Sequence, residues 1–358
     1  MTSPIIPEAL KTLVERRDLS RIEAAAAMEA IMSGSATNAQ IAAFLTALRM
    51  KGETVEELIG FAQVMRQKAV RVRTRGTEGS ASLTGTDREM LIDTCGTGGD
   101  ASGTFNVSTA TAFVVAGAGL KVAKHGNRSA SSLCGSADVV EALGVSLELT
   151  PPQVARCVDE IGIGFLYAPL LHTAMKHVMA ARREMGIRTV FNLLGPLTNP
   201  ASANAQVIGV AAAALTEPLA RVLAELGTLR AFVVHGADGL DEISNTGESR
   251  LSEVREGVVR SFTVRPEDFG LPHATMSDLK GGDRQQNAQI IRDVLSREAG
   301  PRRDIVLMNA SAALVAGGRA SELKEGVQLA AQSIDSGAAR ERLERLVAYS
   351  QKLAADKN

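Results

Sequence analysis

The chain has 358 residues, a formal net charge of −1, 45% hydrophobic and 22% charged residues, two tyrosines and no tryptophan. That length points to about two domains, and that balance to a globular protein with a sizeable core. A near-neutral chain with so few rings for stacking bases excludes a dedicated nucleic-acid binder, and no apolar run approaches the roughly 18 residues of a membrane helix, so neither nucleic acid nor membrane is an expected partner. The three cysteines, Cys95, Cys134 and Cys157, are odd in number and far apart, which speaks for reduced thiols in a cytoplasmic protein rather than disulfides or zinc. The first residues do not form a signal peptide.

Residues 1–72 read as a small α-helical domain. Ser20 with Glu23, Thr37 with Gln40 and Thr54 with Glu57 each form a capping box ahead of an apolar-periodic run. Gly34 and Gly52 stand where the preceding helices should stop, and Ile41, Phe44, Leu45 and Leu48 give one buried face. Residues 73–88 dissolve into Thr, Gly, Ser and charge, the composition of a flexible linker. Residues 89–358 then form an α/β domain.

That domain opens on a short strand over residues 91–96, a turn containing Gly96, Gly98, Gly99 and Gly103, and an apolar helix reaching Leu120. Glycines free the backbone N–H groups to close on a bulky anion, and a helix N-terminus favours phosphate. Asn106 or Ser108 is the expected helix cap. Gly96-x-Gly98-x-x-Ala101 fits the loose dinucleotide fingerprint, but the region about 20 positions on carries Lys121 and Lys124 instead of an acid. A P-loop would end in a lysine that Gly103-Thr104 lacks. Phosphate is therefore expected, and NAD and ATP are not.

A second strand, residues 120–123, leads into the basic run Lys124-His125-Gly126-Asn127-Arg128-Ser129-Ala130-Ser131-Ser132. Helices follow at 137–143 and at 150–159, the latter started by Thr150-Pro151-Pro152, with an extended segment at 161–168. A helix at 173–185, carrying Arg182 and Arg183, is expected to pack with the N-terminal helices. The β-rich runs 189–192, 205–210 and 231–235 complete a largely parallel sheet, and 248–269 forms an antiparallel excursion. Beyond Asp283 the chain is helical, with 307–314 interior and 336–353 facing solvent.

Taken together, Asp93-Thr94-Cys95-Gly96-Thr97-Gly98-Gly99-Asp100, the basic run, Asn192-Leu193-Leu194-Gly195-Pro196-Leu197-Thr198-Asn199-Pro200, and Val233-Val234-His235-Gly236 leading to Asp241-Glu242 closely resemble the anthranilate phosphoribosyltransferases. The resemblance runs from the N-terminal helices to about Gly318. It implies a fold of the nucleoside phosphorylase/phosphoribosyltransferase class, with a helical domain and an α/β domain that binds phosphoribosyl pyrophosphate, and transfer of phosphoribose to the amine of anthranilate. It places the donor on Gly96, Gly98, Gly99, Asp100, Thr104, Asn106, Val107, Ser108 and Thr109, and on Lys124, His125, Gly126, Asn127, Arg128, Ser129, Ala130, Ser131, Ser132 and Ser136. Asp100 beside pyrophosphate makes electrostatic sense only toward ribose hydroxyls or a metal's water shell. Anthranilate falls to Gly96, Asn127 and Arg182. One or two magnesium ions fall to Ser108, Asp241 and Glu242, and a homodimer is implied.

No acid or base residue is expected to be catalytic, because an aromatic amine is neutral at physiological pH and the difficulty lies in the charge of the leaving group. The sequence leaves two other readings: a pyrimidine nucleoside phosphorylase, disfavoured by the form of the basic run, and a catalytically silent phosphate sensor, disfavoured by the intact glycine turn and acidic pair.

Overall fold

The computed structural model describes residues 4–75, 89–100, 102–129 and 133–356. The expectations placed on Ala130, Ser131 and Ser132, and on residues 76–88 of the linker, lie outside them.

Four helices come first: α1 (Ile5–Val14), α2 (Arg21–Met32), α3 (Asn38–Lys51) and α4 (Val55–Lys68). All three capping boxes form as the sequence predicts, each contributing about 1 kcal/mol to its helix. Glu57 goes beyond its box. Its carboxylate also accepts from the backbone of Leu19 at 2.9 Å and from Lys51 Nζ at 3.0 Å, so one buried acid ties the starts of α2 and α4 to the end of α3.

The sheet has seven strands: β1 (Leu91–Gly96), β2 (Lys121–Gly126), β3 (Ile163–Tyr167), β4 (Ala205–Gly209), β5 (Arg230–Gly236), β6 (Ser249–Arg255) and β7 (Val258–Val264). Their order is β3-β2-β1-β4-β5-β6-β7; the first five run parallel, and β6 and β7 form the expected antiparallel excursion. Between β1 and β3 lie α5 (Val107–Gly117), α6 (Ser136–Ala142) and α7 (Pro151–Ile161). Between β3 and β5 lie α8 (Ala168–Leu171), α9 (Lys176–Met185), α10 (Val190–Leu197) and α11 (Thr216–Glu225). The chain closes with α12 (Arg284–Leu295), α13 (Pro301–Ala316), α14 (Leu323–Asp335) and α15 (Ala338–Ala355).

Period-2 alternation along the strands feeds two cores. On β5, Phe232 and Val234 join Phe113 of α5, Leu314 of α13 and Leu346 of α15, while Ala231 and Val233 join Leu194 of α10 and Leu223 of α11. The second core also takes in Phe44 and Phe61 of the first helices and Val178 and Ala181 of α9, so the helical block and one face of the sheet share a single apolar interior.

Three expectations are corrected. Residues 189–192 are not a strand: Thr189 donates its N–H to Asn192 Oδ1 at 3.0 Å and opens α10. A β-branched and aromatic run reads as β-rich, but burial of Leu193, Leu194 and Leu197 at helical spacing wins. Neither Asn106 nor Ser108 caps α5 with its side chain. Residues 336–353 are not simply solvent-facing, because α15 buries Leu343, Leu346 and Leu353 in the core it shares with α5 and α7.

Candidate active site

The strand order reverses direction at β1, with β2 to one side and β4 to the other, and the C-terminal crevice at such a switch point is where open α/β sheets hold ligands. Gly96 and Gly209 are register partners there. A Cβ on Gly96 would stand 2.4 Å from Asp241 Oδ2, and one on Gly209 would stand 1.5 Å from the Asp241 carbonyl oxygen. Two bare strand ends are thus the seat of Asp241. Its carboxylate then accepts the Gly98 N–H at 2.9 Å, where the turn passes through positive φ.

Glu242 does for α5 what the sequence assigned to Asn106 or Ser108. Its Oε1 accepts the Ser108 N–H at 3.1 Å in the first turn of the helix, a favourable place for negative charge. Asn106 instead donates to the Cys134 carbonyl at 3.1 Å and accepts from Asn287 Nδ2 at 3.0 Å. Val107 and Thr109 are buried, and their N–H groups are taken by the carbonyls of Phe105 and Asn106 at 2.8 and 3.1 Å. Burial, then the charge of Asp100, raises the Asp241 carboxyl to about 6; burial, then the charge of Asp241, pushes Glu242 well above the usual carboxylate range.

Such a pair is ionised most readily against a cation. Among the described residues no cluster of three or more His, Cys, Asp or Glu could chelate a metal. Two hard carboxylates beside the Ser108 hydroxyl nevertheless fit magnesium, which keeps several waters and takes the rest of its ligands from substrate phosphates.

Lys124 is almost fully buried. Its Nζ donates to the Thr94 carbonyl at 2.5 Å and to Ser108 Oγ at 3.3 Å. Asp93 lies beneath it, accepting from the His125 N–H at 3.1 Å and from Asn199 Nδ2 at 2.8 Å. Burial pushes the Asp93 carboxyl up and the Lys124 ammonium down, and each is held against that by the charge of the other. His125 is buried with its ring centroid 5.0 Å from that of His172. Burial, then His172, lowers His125 to about 3, and burial lowers His172 to about 4, so both are neutral imidazoles at physiological pH.

After β2 the chain turns back on Asp138 of α6. One carboxylate oxygen accepts the N–H groups of Ser129 at 3.1 Å and Gly135 at 2.9 Å, and the other accepts Arg128 Nη1 at 2.9 Å. Arg128 also forks onto Glu141 at 2.8 and 2.9 Å. Its guanidinium is therefore committed to α6, while the Asn127 carbonyl accepts from Ala137 N–H and, at 3.4 Å, from Ser136 Oγ.

Residues 88–340 match the Glycosyl transferase family, a/b domain, and residues 7–69 match the Glycosyl transferase family, helical bundle domain. The anthranilate phosphoribosyltransferase of Symbiobacterium thermophilum is 57% identical over 97% of this chain and 98% of its own. The crystal structure of the enzyme of that name from Thermus thermophilus superposes with a TM-score of 0.88 at 43% identity, covering 96% of this chain and 99% of the other. The chain belongs to the anthranilate phosphoribosyltransferase family. Structures of the Saccharomyces cerevisiae enzyme of that name, one in complex with PRPP and Mg and another with 4-fluoroanthranilate, match with a TM-score of 0.84 at 28% identity over 98% of this chain and all of theirs.

Read as a member of that family, the chain brings Gly96, Gly98, Gly99, Asp100, Ser108, Lys124, Asp241 and Glu242 to one strand-end crevice. Asp100 accepts the Ser102 hydroxyl, and Thr104 pairs in a single β-bridge with Lys280. Gly126 ends β2, packed so that a Cβ would meet Ser136 Oγ at 2.3 Å. Arg182 lies over the Phe191 ring at 5.4 Å, and burial lowers its pKa; Arg183, next to it, is exposed.

Sequence reasoning missed Gly209, Asp138 and Arg188. Asp138 carried a signal, as an acid at the third position of a helix following the basic run. Gly209 and Arg188 carried none that local pattern could supply.

Proposed function

We propose that the chain transfers the 5-phosphoribosyl group from phosphoribosyl pyrophosphate to the amine of anthranilate, giving N-(5-phosphoribosyl)anthranilate and pyrophosphate, a step of tryptophan biosynthesis. The observation that carries this reading is the seat of Asp241 and Glu242 across Gly96, Gly98, Gly209 and Ser108, in a chain 57% identical to an enzyme of that name.

The donor lies along the turns that follow β1 and β2, from Gly96 to Thr109 and from Lys124 to Ser136. Ser108, Asp241 and Glu242 would hold magnesium, which when bound supplies positive charge for the departing diphosphate. The Gly98 and Ser108 N–H groups hold the two carboxylates in the same crevice, and Lys124 adds positive charge beneath it. Anthranilate lies among Gly96, Asn127 and Arg182, with its carboxylate on the guanidinium and its amine toward the anomeric carbon. The lone pair of the neutral aromatic amine forms the C–N bond as the C–O bond to diphosphate breaks, and the proton the amine then sheds passes to solvent or to the departing diphosphate. His125 and His172, lowered by burial to about 3 and about 4, are poor bases for it. The division into a helical domain over residues 1–72, a linker over 73–88 and an α/β domain over 89–358 belongs to this reading, as do a cytoplasmic homodimer and the packing of the 173–185 helix with the helical domain; sedimentation would settle the dimer.

Protein, magnesium, phosphoribosyl pyrophosphate and anthranilate, mixed and followed by loss of anthranilate fluorescence, test the reaction. No loss of fluorescence, or loss that persists when the donor is left out, would overturn it.

A further inference from the structure

The crevice presents an electrostatic problem. A diphosphate seated on the turn at Gly98 and Gly99 would face Asp100, Asp241 and Glu242. The cations of the basic run are already committed: Lys124 to the Thr94 carbonyl and Ser108, and Arg128 to Asp138 and Glu141. The turn itself contains no lysine or arginine.

Beside the magnesium that the acidic pair would hold, a side-chain cation comes to the turn from the connection between α9 and α10. Arg188 reaches across to the turn and donates from Nη2 to the Thr97 carbonyl at 3.2 Å. Its Nη1 lies so close over Gly99 that a Cβ there would be 1.5 Å away. Gly99 has φ +81°, so it is glycine for two reasons, conformation and the guanidinium upon it. Asp241 and Asp100 act on Arg188 as opposite charges, and Arg49 of α3 as a like one. A guanidinium has five N–H donors in a planar fork, and one hydrogen bond to Thr97 leaves most of that fork for a ligand.

We propose that Arg188 is a diphosphate-contacting residue, the side chain that makes the Gly98–Gly99 turn able to hold the pyrophosphate end of the donor and the pyrophosphate product. This rests on the transferase reading above. Arg188 lies six residues beyond Arg182, so the end of α9 and the connection after it would serve the acceptor carboxylate and the donor diphosphate respectively.

Calorimetry with inorganic pyrophosphate and magnesium, alongside steady-state kinetics, tests it. Arg188→Gln should weaken pyrophosphate binding and raise KM for the donor roughly 10- to 100-fold, the scale of a hydrogen bond to a charged group, with KM for anthranilate changed less than about threefold. Arg188→Lys should fall between, keeping the charge and losing the fork. Pyrophosphate affinity within twofold of wild type in Arg188→Gln would overturn the proposal.

Gly99→Ala gives a second approach that leaves Arg188 unsubstituted but displaces its guanidinium, because the new methyl would occupy its place over the turn. Backbone strain at Gly99 is common to both backgrounds, so the cost in pyrophosphate affinity should be clearly smaller when Arg188 is already Gln. An equal cost in both backgrounds overturns the seat over Gly99, and with it the proposal. A wild-type protein that binds pyrophosphate through Arg188 but turns over no anthranilate would overturn the reaction and leave the Arg188 contact standing.

Discussion

The turns after β1 and β2 lie side by side at the same edge of the sheet and are held by opposite means. The turn after β1 is closed from far away: Gly98 by Asp241, Ser108 by Glu242, Thr97 by Arg188 and Asn106 by Asn287, with sequence separations of 143, 134, 91 and 181 residues. The turn after β2 is closed locally, with Ser129, Arg128 and Gly135 all held by Asp138, at separations of 9, 10 and 3. Distant closure costs chain entropy that must be recovered from the assembled sheet, whereas local closure is nearly independent of it. The first turn therefore registers where the helical connection and the β5 loop sit. The second is a preformed clasp.

The acidic pair is where the first turn can be broken most severely. Asp241→Asn together with Glu242→Gln keeps shape and hydrogen-bonding size but removes the charge, so it should lower kcat/KM by roughly 10³-fold or more while leaving the circular dichroism spectrum unchanged. Full turnover by the double variant at limiting magnesium would sink the metal role.

Next in size is the proposed acceptor anchor. Consecutive helical residues point about 100° apart, and Arg182 is the one turned inward onto Phe191. Arg182→Lys should raise KM for anthranilate roughly 10- to 100-fold, because a lysine cannot match two parallel bonds to a carboxylate, and Arg183→Lys should do little. The reverse ranking in steady-state kinetics would move the anchor to the exposed face of α9.

The second turn also has long-range supports, such as Arg128 Nε on the Tyr167 hydroxyl at 3.3 Å and the packing of His172 near His125, and acid should expose the second of these. His172, from the segment after β3, faces His125 at the end of β2, with both of its ring nitrogens buried and without a hydrogen-bond partner. Its folded pKa, about 4, lies below its unfolded value, so its contribution is complete above about pH 6.5 and is lost as pH falls toward 4. At pH 5 the loss should be about 2 kcal/mol from this ring. Urea midpoints at pH 7 and pH 5 check it: His172→Asn should narrow the gap between them, and an unchanged gap would assign the acid sensitivity elsewhere.

What the sequence revealed follows the same division. Capping boxes at Ser20, Thr37 and Thr54, the glycine turn and the basic run are local patterns, and each was readable from neighbours three to ten residues away. The positions of Asp241 and Glu242 came from family resemblance, since two adjacent acids on a loop look like solvated surface until the bare ends of β1 and β4 are seen beneath them. Arg188 could not be found locally because its role depends on a carbonyl 91 residues earlier. The run at 189–192 misled because β-branched residues favour a strand only where a sheet edge is there to receive them.

The smallest expected effect tests the clasp itself. Against the cost of burial, the N–H groups of Ser129 and Gly135, with Arg128, hold the Asp138 carboxyl below its usual range, so its ionised form is the one the turn needs. Asp138→Asn keeps one acceptor oxygen but presents an amide, which cannot accept, to the other set of donors. Glu141 would still grip Arg128 with two bonds, so the turn should loosen without being lost. KM for phosphoribosyl pyrophosphate should rise about 3- to 10-fold, the scale of one or two hydrogen bonds, with kcat and KM for anthranilate little changed. Asp138→Glu should not restore it, because a longer side chain overshoots the N–H groups that one carboxylate oxygen now bridges. If instead KM for the donor is unaffected while kcat falls, the second turn is held by the assembled sheet like the first, and the contrast between local and distant closure fails.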